Sequence, residues 1–237
     1  MDNPAGLLFS LQHSDSFFPS GAASFSWGLE TLYRDKIVTD ANSLTHFLET
    51  QLLHRWITFD QSVVSEAWCI TTQCPADSTR NVFNEIINLD VIQEAMTLSP
   101  STRSGSRRMG QSLIKVHAKI GTQSAIRLQN YIASEASAHL PHLAVAQGYL
   151  WASLGISEIE SRAISAHTLI TGTASAAIRL GIIGHIEAQR IIMQMQILIT
   201  DALSQSTTPI ESLASGTLAI DVASLKHTQL DARMFIN

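Results

Sequence analysis

Between Asp40 and Phe59 the apolar residues Leu44, Phe47, Leu48, Leu52, Leu53 and Trp56 recur three and four positions apart. That spacing paints one face of an amphipathic helix. Helical patterning returns over residues 61–71, 84–98, 109–119 and 123–138. It comes back again over 185–203, where Ile192, Met195, Ile199 and Leu203 mark a buried face. No β-rich block separates these stretches, so the expected fold is all-α: a single globular domain over 1–237 of roughly eight to ten helices.

The punctuation supports this division. Asp40 is placed to cap the first of these helices. Cys74-Pro75-Ala76-Asp77-Ser78 reads as a surface loop, because Pro75 cannot donate a backbone hydrogen bond. The polar run Ser99–Arg108 reads as a break or an irregular helix start. Its arginines, Arg103, Arg107 and Arg108, suit either a solvated loop or contact with an anion or an acidic partner. Gly121 suggests another interruption. Pro141 fits the first turn of a further helix that Gly155 would end, and Ser157 with Glu160 forms a capping box for the next.

That next helix carries Ala163, Ala166, Ala174, Ser175, Ala176 and Ala177, side chains small enough to admit a neighbouring helix closely, while Gly172 weakens it by roughly 1 kcal/mol relative to Ala. Residues 179–184 punctuate the chain again, and Pro209–Leu213 reads as a short helix. Residues 219–237 lack a sustained pattern and are read as a tail ordered by contacts, with a partner as one source of them.

Composition narrows the function. Hydrophobic residues make up 45% of the chain and charged residues 15%, which excludes an unfolded polar polymer and points to extensive burial, protein interfaces included. A net charge of −5 argues against a general phosphate-binding surface, so nucleic acid is not an expected ligand. The N-terminus lacks the pattern of a secretory signal, and polar residues interrupt every apolar run well before a membrane span is reached. A cytoplasmic protein is therefore expected.

Local catalytic signatures are sparse. There is no phosphate-binding G-x-x-x-x-G-K-[ST] loop and no dinucleotide fingerprint. Cys69 and Cys74 form a lone C-x4-C, which reads as free thiols rather than a metal site. His13-Ser14-Asp15 holds the residue types of an acyl-transfer triad, but a triad is defined by spatial hydrogen bonds, and Ser and Asp serve readily as caps. His139 and His142 flank Pro141, and His117, His167, His185 and His227 could join them only through folding. The nine histidines and two cysteines keep open the alternative of an independent helical metal-binding or storage protein.

Four segments in order carry a resemblance. Residues 11–21, Leu-Gln-His-Ser-Asp-Ser-Phe-Phe-Pro-Ser-Gly, followed by Ser24-Phe25-Ser26-Trp27-Gly28-Leu29-Glu30, are similar to the LSD-x-x-x-P-x-G-G-F-x-x-S-x-G-L-E region of the UreF family, with Ala22 at the second glycine. Residues 139–148 with Leu154-Gly155-Ile156 resemble its H-x-P-V-x-x-G helix and L-G-I turn. Residues 176–184 with Gln189 resemble its A-x-R-L-G-x-x-G-x-x-x-x-Q segment. Asp221–His227 with Arg233-Met234-Phe235 resembles its D-I-x-S-M-x-H…R-L-F ending.

The resemblance implies a non-enzymatic urease accessory protein for maturation of a nickel site. Such a scaffold joins a UreD/UreH-type protein, recruits the UreG GTPase to apo-urease and pairs with itself inside the assembly. By position in the motifs, the expected partner-binding residues are Glu30, Arg179, His227 and Arg233, with Glu30 also a candidate lining of a nickel passage. No cofactor is expected to be held stably. Nickel would pass through the complex on transient polar contacts, because a tightly held ion leaves slowly.

Overall fold

Helical periodicity becomes helical structure along the chain. A computed structural model describes residues 4–236 apart from 16, 20, 74–78 and 136–138, so the loop expected at Cys74–Ser78 lies outside the described residues. In order come α1 (Pro4–Ser14), α2 (Leu29–Arg34), α3 (Ala41–Gln51), a π-helical segment (Leu52–Asp60), α4 (Gln61–Gln73), α5 (Thr79–Met96) and α6 (Pro100–Lys119). Then follow α7 (Gln123–Ser134), α8 (Leu143–Ser153), α9 (Glu158–Arg179), α10 (His185–Ser204) and α11 (Leu218–His227). No strand occurs among the described residues.

Most boundaries follow from local chemistry. The Asp40 carboxylate accepts from the Ser43 amide at 2.8 Å while Ser43 Oγ accepts from the Asp40 amide at 3.1 Å, closing the box at the start of α3. Ser157 and Glu160 repeat the device at α9, with 3.3 and 2.9 Å bonds. Gly121 and Gly155 end their helices with φ of 91° and 76°.

Four stretches differ from the reading of the sequence. Ser99–Arg108 enters regular helix: Ser99 caps α6, Pro100 occupies its first turn, and the pattern is hidden because the buried positions there, Ser101, Gly105 and Ser106, are small or polar rather than apolar. Pro141 lies just ahead of α8, which starts at Leu143 behind His142 as N-cap. Ile210–Ser212 is a single 3-10 turn. Residues 218–227 form α11, whose buried face is Ile220, Asp221, Ala223, Ser224 and His227; a face more than half polar leaves no apolar period to read.

Two apolar clusters fill the interior. One joins α2, α3, α9, α10 and α11 around Leu29, Leu44, Leu48, Trp56 and Ile170, and the alanines of α9, Ala166, Ala174 and Ala177, lie within it. The other joins α4 to α8 around Val63, Val64, Leu128 and Leu150. In the second, α8 presses so closely on α4 that a Cβ on Gly148 would stand 2.3 Å from the Val64 carbonyl oxygen and 2.7 Å from Ala67 Cβ. Helix backbones meet there without side chains between them.

Candidate partner-binding site

The first motif ends in α2, and α2 receives the end of the chain. Gly28 turns into this helix with φ 85°, and a Cβ there would meet the Ile220 carbonyl of α11 at 3.0 Å, so glycine serves both the turn and the contact. Two residues on, Glu30 is 1% exposed. Its carboxylate accepts from His227 Nε2 at 2.8 Å, from the Met234 and Phe235 amides at 2.9 and 3.2 Å, and from Arg34 at 3.1 Å. Burial alone would raise this carboxyl; the Met234 amide, His227 and the Phe235 amide hold it below its ordinary value.

The bonds fasten residues 228–236 to the N-terminal region. Arg34 also donates to the Ala232 carbonyl, and the Ile236 amide donates to the Ser24 carbonyl at 2.9 Å. Phe235 is buried, with the Arg179 guanidinium 4.4 Å from its ring centroid. Three of the residues singled out from the motifs, Glu30, Arg179 and His227, therefore converge on one strap. The fourth, Arg233, is exposed on it, between residues whose neighbours are anchored. Arg34 was not singled out, although its (i, i+4) spacing from Glu30 was a usable signal.

Against α11 lies a partly open cavity of about 80 Å³, lined among others by Trp27, Arg55, Asp60, Gln93, Gln147 and Asp221. The π-helical winding brings residues five apart onto one face, which lets Arg55 grip Asp60 through 3.0 and 3.2 Å bonds while stacking on Phe59 at 4.2 Å. An α-helical reading of residues 40–59 gave no hint of this pairing. Burial raises the Asp221 carboxyl, opposed by Arg55 and Thr217. Gln93 Oε1 is buried with no partner among the described residues. The chamber is lined mainly by apolar surface, with a few polar groups facing into it, and has room for several water-sized occupants.

The remaining candidates are engaged elsewhere. Ser14 Oγ donates back to the Ser10 carbonyl, Asp15 accepts from the Phe17 amide, and His13 Nε2 lies 2.8 Å from His117 Nε2, so the three adjacent residues form no relay. Burial pushes both imidazoles down, His117 to about 4. His142 is buried against Glu94 at 2.7 Å, whereas His139 is exposed and takes no part. Cys69 is a half-buried free thiol that burial pushes up. No group of three or more His, Cys, Asp and Glu is placed to hold a metal ion among the described residues. Nor is any helix among them long and apolar enough to cross a membrane.

Comparison with known proteins matches this arrangement to one family. The family model described as UreF matches residues 38–196. A urease accessory protein UreF from Trichodesmium erythraeum is 28% identical over 234 residues, covering 97% of this chain and 96% of the relative. A protein of the same name from a Bacillus species is 25% identical over 232 residues, with 98% and 99% covered, and one from Haemophilus influenzae is 22% identical over 224 residues, with 94% and 92% covered. These alignments run past both ends of the family match, and with that match over most of its length the chain belongs to the UreF family.

Proposed function

We propose that this protein is a urease accessory protein that works as a non-catalytic adaptor in the cytoplasm, joining a UreD/UreH-type protein with the UreG GTPase and apo-urease, and pairing with a second copy inside the complex. The observation that carries the reading is the meeting of motif residues from opposite ends of the chain, Glu30 and His227, in a buried bond that sets the strap on the surface with Arg233 outward. A strap held this way presents a defined face to a partner at little ordering cost. Nickel is cargo in this reading. The carboxylates of Asp60 and Asp221 and the free oxygen of Gln93 offer it brief polar contacts in the chamber, and the donor set is too sparse to hold it.

Co-purification with the UreD/UreH-type protein and then with UreG tests the adaptor. The intact chain joins both, and Arg233→Ala or truncation after His227 weakens assembly. A folded, soluble chain that joins neither, or one that takes up nickel tightly and stoichiometrically without partners, contradicts the adaptor and supports the storage alternative.

A further inference from the structure

The arginines at the start of α6 take no part in the strap and do not line the chamber. Residues 95–134 contain six of the 15 Lys and Arg residues and none of the 20 Asp and Glu residues, in a chain that is acidic as a whole. Two of these cations are neutralised from α5: Arg103 pairs with Glu94 at 3.1 Å, and Arg107 pairs with Glu94 at 2.7 Å and Asp90 at 3.5 Å. The others on α6 are Arg108, Lys115 and Lys119. All three are exposed, and none has an ion pair with a described carboxylate.

Helical geometry aligns them. At 100° per residue, positions 108, 115 and 119 fall within about 40° of arc and span about 16 Å along the axis. The opposite face, Met109, Leu113, Ile114 and His117, is buried. Beside the stripe, Ser112 Oγ donates to the Pro19 carbonyl at 2.9 Å, which fixes the N-terminal loop against α6. Two residues before Pro19, Phe17 is 91% exposed. The one described acid of that loop, Asp15, accepts from the Phe17 amide. Arg108 and the exposed Phe17 ring are residue types enriched at interfaces, and the uncompensated charge of Arg108, Lys115 and Lys119 gives the partner's sign.

We infer that the Arg108–Lys115–Lys119 face of α6, with Phe17 at its edge, docks an acidic protein surface within the urease-maturation assembly. The inference rests on the adaptor reading and deepens it, because it supplies a second binding face distinct from the strap. Nucleic acid is disfavoured as occupant: outside residues 95–134 the acids outnumber the bases, and a long polyanion running past the stripe meets that repulsion.

The test compares the full-length chain with Arg108→Glu/Lys115→Glu/Lys119→Glu, and with a control carrying reversals elsewhere, Lys36→Glu/Arg190→Glu. Each is assayed for assembly with the UreD/UreH-type protein, UreG and apo-urease at low and at high salt, and for binding to a DNA duplex. The expected result is unchanged thermal melting of all three proteins, with loss of one partner at least tenfold in affinity for the stripe variant at low salt. The control assembles normally, and high salt weakens the same step in the intact chain. Equal assembly by the stripe variant overturns the inference while leaving the adaptor intact. Stripe-dependent capture of DNA overturns the choice of a protein partner, and failure of the intact chain to join any partner overturns the adaptor and the inference together.

Discussion

Two buried histidines meet carboxylates in this molecule, and the surroundings make them different devices. His227 meets Glu30, both essentially inaccessible, with three further donors on the same carboxylate and nearly 200 residues of chain between the partners. His142 meets Glu94, a side chain 41% exposed, and shares it with Arg103 and Arg107. The first closes the ends of the chain onto each other and has no solvent to replace a lost bond. The second braces α5, α6 and the start of α8, where water and neighbouring arginines can substitute. Depth decides which pair the fold depends on.

The largest expected effect follows from that depth. Glu30→Ala leaves His227 and two backbone amides without their acceptor, and removing one partner of a buried pair costs about 3–5 kcal/mol. Denaturant unfolding should show a loss of this size, with proteolysis of the strap well before the helices. The matching change in the shallower pair, Glu94→Ala, should cost about 1 kcal/mol, because exposed ion pairs contribute little and Asp90 still holds Arg107. Equal losses at the two positions would remove the distinction.

Acid sharpens the comparison further. The Glu30 carboxyl titrates below its unfolded value of 4.5, so its contribution is complete above that value and is lost as pH falls through the lower folded one. Burial lowers His142 from 6.5 to about 4, with Arg107 acting in the same direction against Glu94, so its contribution is present above 6.5 and is lost as pH falls towards 4. Beside it, burial raises Asp90 from 3.8 to about 6 against the pull of the His142 amide and Arg107. Its contribution is complete below 3.8 and is lost as pH rises towards 6. Asp90 thus offsets part of the acid sensitivity of its neighbour. Asp90→Asn should make the stability loss between pH 6.5 and 4 steeper than in the intact chain, and an unchanged slope would show that the offset is absent.

The smallest effect on stability belongs to Arg233. An exposed side chain of this kind typically changes stability by within about 0.5 kcal/mol, so Arg233→Ala should melt like the intact chain while assembling less well. Equal thermal destabilisation with normal assembly would reverse the roles of strap and surface.

The contrast also explains what could be read before folding. Helices α3 and α10 announce themselves because their buried positions are mostly apolar and their caps are Asp40 and Gly184, and α9 does so through its Ser157–Glu160 capping box. Helix α11 stays silent because it buries Asp221, Ser224 and His227, and no hydrophobic scale registers a polar face turned inwards. The anchor of the strap was legible only in pieces through the motifs: they supplied Glu30, Arg179 and His227 separately, and only the tertiary path of the chain brings them to Phe235 and the Met234 amide. Arg55 and Asp60 were beyond reach, since five-residue spacing shares a face only in the π-helical winding.

The most direct measurement is urease activation in a host carrying the structural subunits and the other maturation proteins, with nickel content and activity of the purified urease read with and without this chain. The account predicts that both fall to background in its absence, that the intact chain restores them, and that the chain truncated after His227 does not. Full nickel loading without the chain, or full restoration by the truncated form, would contradict it.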